Sequence, residues 1–259
     1  MKEIVAVVNQ KGGVSKTSTV LALAAGLKAK RNRILLVDMD AQSNLSYTAG
    51  ATPTDKTVYR AMVEGSASGM IQSLDYAGER DLYERVDILP AGPDLSGADV
   101  NLSGTVGREY LLKEVLKELA EDYDYILIDT PPALGALTVN ALTASTGVII
   151  TAQADIYSLQ GIASLSSTLE AVRKYCNKDL KVKGILITRY NSRSILSRSI
   201  AEELAGTAEA MGTVLYQTRI RECTAVKEAQ LEKQSIFSYA PRSNAAKDYM
   251  AFIEEAFPA

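Results

Sequence analysis

The apolar run Ile4-Val5-Ala6-Val7-Val8 leads directly into Asn9-Gln10-Lys11-Gly12-Gly13-Val14-Ser15-Lys16-Thr17-Ser18. A short β-rich run, a glycine-containing turn and Lys-Thr at the head of a helical stretch form a strand, a phosphate-binding loop and a helix. The common pattern, G-x-x-x-x-G-K-[ST], would put glycine at positions 10 and 15, where this chain has Gln10 and Ser15. In their place stand adjacent glycines, Gly12 and Gly13, preceded by a second lysine, Lys11. Glycines let the backbone turn tightly and aim its N–H groups at one spot. The helix N-terminus adds positive potential, and Lys16 reaches phosphate oxygens. The neighbouring hydroxyl, Thr17, is the expected Mg²⁺ ligand.

Outward from this loop the same alternation repeats. Apolar runs at Ile4–Val8, Ile34–Val37, Val86–Leu89, Tyr125–Ile128, Val148–Thr151 and Val182–Thr188, with a weaker one at Thr213–Tyr216, predict strands. Most are apolar on consecutive residues, the pattern of strands covered on both faces. Amphipathic stretches at Lys16–Lys30, Arg108–Glu121, Leu159–Tyr175 and Ile195–Met211 predict helices; in the second, Leu111, Leu112, Val115, Leu116 and Leu119 share one face. The region Glu64–Arg80 is the least patterned and reads as a surface connection. The whole predicts an α/β fold, a doubly wound and mainly parallel sheet with helices on both faces, whose ligand site lies at the carboxyl ends of the strands.

Two predicted strands end there in carboxylates. Ile34–Val37 runs into Asp38-Met39-Asp40, whose acids at i and i+2 of an extended segment project from one face. One can support a metal shell, and the other can position an attacking water. Tyr125–Ile128 ends in Asp129-Thr130-Pro131-Pro132, the form of a Walker B strand whose Asp holds Mg²⁺. The three segments in this order imply a nucleotide triphosphatase using Mg²⁺.

Composition narrows the field. With 259 residues, 47% of them apolar, one domain over 1–259 is expected, with no separate N-terminal DNA-binding domain. The net charge of −3 draws the protein to neither nucleic acid nor anionic lipid. No apolar run approaches the roughly 18 residues of a membrane span, so a cytoplasmic protein is expected. The absence of histidine excludes histidine-dependent triads and His-ligated zinc. Cys176 and Cys223 have no C-x-x-C partner and read as reduced thiols.

At this point the chain resembles the deviant Walker A ATPases, whose K-G-G-x-x-K-[ST] pattern is met by Lys11 to Thr17. Within them it looks like the ParA/Soj DNA-partitioning ATPases, on the stretches VDMDAQSN (37–44), YDYILIDTPPALGALTVNALTAS (123–145), GILITRYNSR (184–193) and YAPRSNAAKDY (239–249). The resemblance implies that the loop from Lys11 through Gly12, Gly13, Val14, Ser15, Lys16 and Thr17 to Ser18 holds ATP. Lys16 would bind its own nucleotide's β and γ phosphates, and Thr17, Asp38 and Asp129 would serve the Mg²⁺. Asp40 would position the hydrolytic water. Lys11 would reach across a homodimer to the partner's nucleotide, much as an arginine finger does. Adenine would lie near Arg189, Asn191 and Pro241.

In this family the ATP dimer binds DNA without sequence preference, and a ParB-like, DNA-bound adaptor stimulates hydrolysis. An ATP-bound dimer on the nucleoid is therefore expected. Residues 181–247 hold eleven Lys and Arg against six Glu, a local positive balance on an acidic chain. Arg193 falls at the family's basic position, and Arg221, Lys227 and Arg242 are further candidates for DNA contacts. Ala225 stands where relatives often carry arginine, which leaves the choice among them open. The alternative is a ParA/MinD-like ATPase positioning a protein or membrane-associated cargo. The acidic C-terminal segment Asp248–Ala259 lacks the basic face that anionic lipid requires, so membrane binding is not expected. Iron-protein reductases of the superfamily need cluster cysteines, and none follows Asp129 to Pro132.

Overall fold

The structure is a computed structural model and describes residues 3–74 and 86–258. Its strands are β1 (Glu3–Val8), β2 (Ile34–Asp38), β3 (Gln72–Leu74), β4 (Val86–Leu89), β5 (Tyr125–Asp129), β6 (Gly147–Gln153), β7 (Lys181–Tyr190) and β8 (Leu215–Arg221). Its helices are α1 (Lys16–Ala29), α2 (Asn44–Ala49), α3 (Val58–Glu64), α4 (Ala98–Asn101), α5 (Leu111–Leu119), α6 (Ala136–Ala144), α7 (Ile156–Tyr175), α8 (Ile195–Ala210), α9 (Ala225–Leu231), α10 (Ile236–Tyr239) and α11 (Asn244–Ala256).

The strands form one sheet in the order β3-β4-β2-β5-β1-β6-β7-β8. All pairs are parallel except β3 with β4. From β1 the chain winds one way through β2 and β4 and later the other way through β6, β7 and β8. The carboxyl ends of β1, β2 and β5 thus flank the point where the winding reverses, where open α/β sheets form a ligand crevice.

The run of apolar residues in β1 is explained by burial on both sides. Val5 and Val7 join Leu23, Leu27, Tyr249 and Phe252 in a core under α1 and α11. Ala6 and Val8 join Leu116, Leu165 and Leu204 in a second core under α5, α7 and α8. In α5 the expected stripe buries Leu112, Val115 and Leu116, with Leu111 and Leu119 half-buried at its edges. α1 is buried on nearly every side. Its Gly26 lets α11 approach so closely that a Cβ there would stand 2.2 Å from Ile253 Cδ1.

Several boundaries differ from the sequence expectation. The strand expected at Thr213–Tyr216 runs instead over Leu215–Arg221, an edge strand whose side chains alternate between core and solvent. The predicted helix Arg108–Glu121 begins as a 3₁₀ turn at Arg108–Tyr110, with α5 following. The connection expected at Glu64–Arg80 contains β3, which pairs antiparallel with β4; residues 75–80 of that connection lie outside the described residues.

Among the described residues no helix is long and apolar enough to cross a membrane. The apolar face of α11, with Tyr249, Phe252 and Ile253, is consumed by packing against β8 and α1.

Candidate nucleotide site

The loop after β1 and the N-terminus of α1 open onto a cavity of about 550 Å³. Gly12, Gly13, Ser15, Lys16, Thr17 and Ser18 line one side. Asp40, Gln42, Asn44, Thr48 and Pro132 line it from the turn after β2, α2 and the loop after β5; Arg189, the segment Ile220–Cys223, Val226, Lys227 and Gln230 of α9 and Tyr249 of α11 line the remainder. Two loop residues have positive φ, Gly13 at 76° and Ser15 at 63°. For Gly13 this is free of steric cost, whereas Ser15 occupies a region that L-residues with a Cβ rarely adopt. Val14 is buried, and its carbonyl accepts from Thr188 Oγ1 at 3.1 Å, which pins the loop to β7.

Lys16 is buried, and its ammonium donates to the carbonyls of Asn9 (3.2 Å) and Lys11 (3.3 Å). Burial pulls its pKa below the ordinary lysine value, against the pull of Asp129 and Asp40. An anion in the cavity would restore its preference for the charged form.

Thr17 Oγ1 donates to Asp129 Oδ2 at 2.6 Å, while Asp129 Oδ1 is buried with no partner. Burial, reinforced by Asp38, pushes the Asp129 carboxyl up to about 8. A buried carboxylate oxygen without a partner beside a threonine hydroxyl is a site that a hard cation would satisfy, so these residues fit Mg²⁺. Among the described residues no group of three or more His, Cys, Asp or Glu forms a closed metal cage.

The two acids after β2 divide their work. Asp40 lines the cavity, its Oδ1 accepting from the Gln42 amide at 3.0 Å. Asp38 is fully buried and does not line it. Its carboxylate accepts from the Ser46 amide (2.8 Å), the Ser46 hydroxyl (2.7 Å) and the Asp40 amide (3.1 Å). Burial lifts its pKa to about 6. The i, i+2 spacing therefore does not bring both acids onto the cavity wall, because the chain leaves the extended conformation after β2 and α2 folds back over Asp38.

Lys11 does not line the cavity either. Its ammonium pairs with Asp155 Oδ2 at 2.5 Å and Gln153 Oε1 at 3.2 Å, beside the exposed Tyr157 ring. Asp155 also caps α7, accepting from the Ser158 amide, and its pKa is lowered by the Lys11 and Ser158 contacts acting against burial.

Of the residues expected near the base, Arg189 lines the cavity at φ 51° and forms an ion pair with Glu222 at 2.7 Å. Asn191 and Pro241 are exposed and do not line it. Arg221 and Lys227, expected as DNA contacts, line the cavity, and Arg221 holds Asp248 at 2.6 and 2.9 Å. Arg193 and Arg242 are exposed away from it. The expectation had no place for Gln153, Asp155, Ser46, Glu222 or Gln230. Gln153 ends β6, and Asp155 and Glu222 lie just past the ends of β6 and β8, whereas Ser46 and Gln230 sit within α2 and α9, where no local pattern marks them.

A family model described as an AAA domain matches residues 2–182. The sporulation initiation inhibitor protein Soj of Bacillus subtilis (strain 168) is 37% identical over 257 residues, spanning 98% of this chain and 98% of that protein. The chromosome partitioning protein ParA of Myxococcus xanthus is 36% identical over 254 residues, spanning 97% and 87%. A solved structure described as cobyrinic acid a,c-diamide synthase from Mycobacterium smegmatis, with bound ATP analog and magnesium, superposes with a TM-score of 0.81 at 32% identity; it covers 98% of this chain and 93% of that one. With the loop, Lys16 and Asp40 on one cavity and Thr17 of that loop bonded to Asp129, the chain belongs to the ParA/Soj family of deviant Walker A P-loop ATPases.

Proposed function

We propose that this protein is a Mg·ATP-dependent partitioning ATPase whose ATP-bound dimer holds DNA without sequence preference and whose hydrolysis step resets it. The observation that carries the reading is the position of Lys11: it sits in the phosphate-loop motif, yet its side chain is held at Asp155, outside its own nucleotide cavity. A lysine so placed can serve a nucleotide on a second subunit docked against this face, completing the charge of the phosphoryl-transfer site only on assembly.

Lys16 and the amides at the start of α1 bind the β and γ phosphates, and Asp40 orients the attacking water. Thr17 and Asp129 would hold the Mg²⁺, which when bound would neutralise phosphate charge, and Asp38 keeps Asp40 in place through its amide. Hydrolysis dissolves the dimer, and an adaptor on the cargo DNA, ParB-like in role, accelerates it. The ATP-bound form is then nucleoid-associated. A membrane cargo is disfavoured because the apolar face of α11 is already buried.

The test is DNA binding with ATP, ADP or no nucleotide at two salt concentrations. Affinity is expected only with ATP and falls steeply with salt, as contacts to the phosphate backbone require. Equal binding in all three nucleotide states, or none, refutes the DNA reading.

A further inference from the structure

One side chain touches both halves of the loop that the proposed function separates. Gln153, the last residue of β6, donates from Nε2 to the Gly13 carbonyl at 2.8 Å and accepts at Oε1 from the Lys11 ammonium at 3.2 Å. Only one orientation of the amide satisfies both, because a carbonyl can only accept and an ammonium can only donate.

The Lys11 backbone is fixed separately: its amide donates to Asn9 Oδ1 at 2.8 Å, and Asn9 Nδ2 donates to the Thr151 carbonyl of β6. Only the Lys11 side chain is therefore placed to change partners. The Gly13 carbonyl and the Val14 N–H belong to one planar peptide unit. Turning that N–H toward a phosphate swings the carbonyl that Gln153 holds. Gly13, at φ 76° with open space around its Cβ position, is where the loop can make that turn.

We propose that Gln153 is a positioning residue that couples the phosphate loop to Lys11: with the Asp155 carboxylate that pairs with the same ammonium it keeps Lys11 on its own subunit, and its share of that hold is released when the loop closes on a nucleotide. The proposal rests on the reading of Lys11 as partner-directed.

Its test measures acylation of the Lys11 amine by an N-hydroxysuccinimide acetate, read site by site by mass spectrometry on the full chain, with and without Mg·ADP. ADP fills the loop without requiring a dimer. In the wild-type chain Lys11 labelling is expected to rise roughly two- to tenfold on loading, the scale set by one lost hydrogen bond. Gln153→Glu keeps an acceptor for Lys11 but loses the donor to Gly13, so labelling should stay low in both states. Gln153→Ala should label faster before any nucleotide is added.

A wild-type rise that Gln153→Glu reproduces, or labelling that does not respond to nucleotide at all, overturns the coupling. Unchanged melting temperatures of the variants exclude a folding effect. Lys11→Ala run on a sizing column with ATP separates the two ideas. If that variant still dimerises, the partner-directed role fails, whereas the labelling series decides on Gln153 by itself.

Discussion

Ser15 stands where a left-handed backbone favours glycine, and its φ of 63° shows that the serine is held there by the loop around it. Replacing it with glycine removes a steric cost of about 1 kcal/mol, partly offset by glycine's greater unfolded freedom. Ser15→Gly is therefore expected to raise the melting temperature by about 2 °C, and a drop would show that the serine side chain contributes more than its strain costs.

The carboxyls nearby set a pH dependence. Unfolded, Asp38 and Asp129 ionise near 3.8; folded and metal-free, burial holds them to about 6 and about 8. Between those values the folded chain keeps protons that the unfolded chain has lost, so stability falls as pH rises. In EDTA the melting temperature should decline from pH 5 to pH 8, and Asp129→Asn should flatten that decline. An equal slope in the variant would mean that other groups carry it. The P-loop lysines, Thr17, Asp40 and Asp129 are legible in the sequence because each follows a recognisable apolar run. The turn of Asp38 toward Ser46 is not, since it depends on where α2 folds.

At the scale of elements, the pairing of α1 with α11 depends on one missing side chain. A Cβ at residue 26 meets Ile253 Cδ1 at 2.2 Å, and its next contact, Ile253 Cγ1, lies at 3.5 Å. Gly26→Ala gains about 0.5–1 kcal/mol of helix propensity but displaces the buried Ile253 Cδ1 at about 1–3 kcal/mol, so a net loss of up to about 2 kcal/mol is expected. Adding Ile253→Val, which deletes Cδ1, should recover part of that loss; a purely additive double variant would rule out the clash.

The buried parallel strands were legible because both faces are covered, giving unbroken apolar runs. The apolar pattern places β8 two residues early and ends it short, because this edge strand carries Gln217, Thr218, Arg219 and Arg221 among its apolar residues. β3, three residues long, has no pattern of its own and exists through its pairing with β4.

Across the whole molecule, the positive balance of residues 181–247 is partly spent inside the protein. Lys183 pairs with Glu3, Arg189 with Glu222 and Arg221 with Asp248, while Arg219 lies over the Tyr190 ring. Arg193 and Arg242 remain exposed. Under the proposed function, Arg193→Ala should weaken DNA binding and lower its salt slope by about one while leaving basal ATP turnover intact. Arg221→Ala should act instead on nucleotide binding and on the hold of β8 to α11. If Arg193→Ala leaves DNA affinity unchanged, the DNA-facing surface lies elsewhere.

Local sequence pattern is enough to specify the parallel sheet, the crevice at its carboxyl end and the glycine loop that faces it. These follow from local rules: consecutive apolar residues need cover on both faces, and a glycine loop before a lysine-headed helix gathers amides at one point. Long-range packing sets where Lys11 points, that Asp38 accepts from the Asp40 amide outside the cavity, and that Arg221 and Lys227 line it. Each of these depends on partners distant in sequence, Asp155 for Lys11 and Asp248 for Arg221. Such pairings are fixed by packing, which brings together strand ends and helix starts that no local pattern connects.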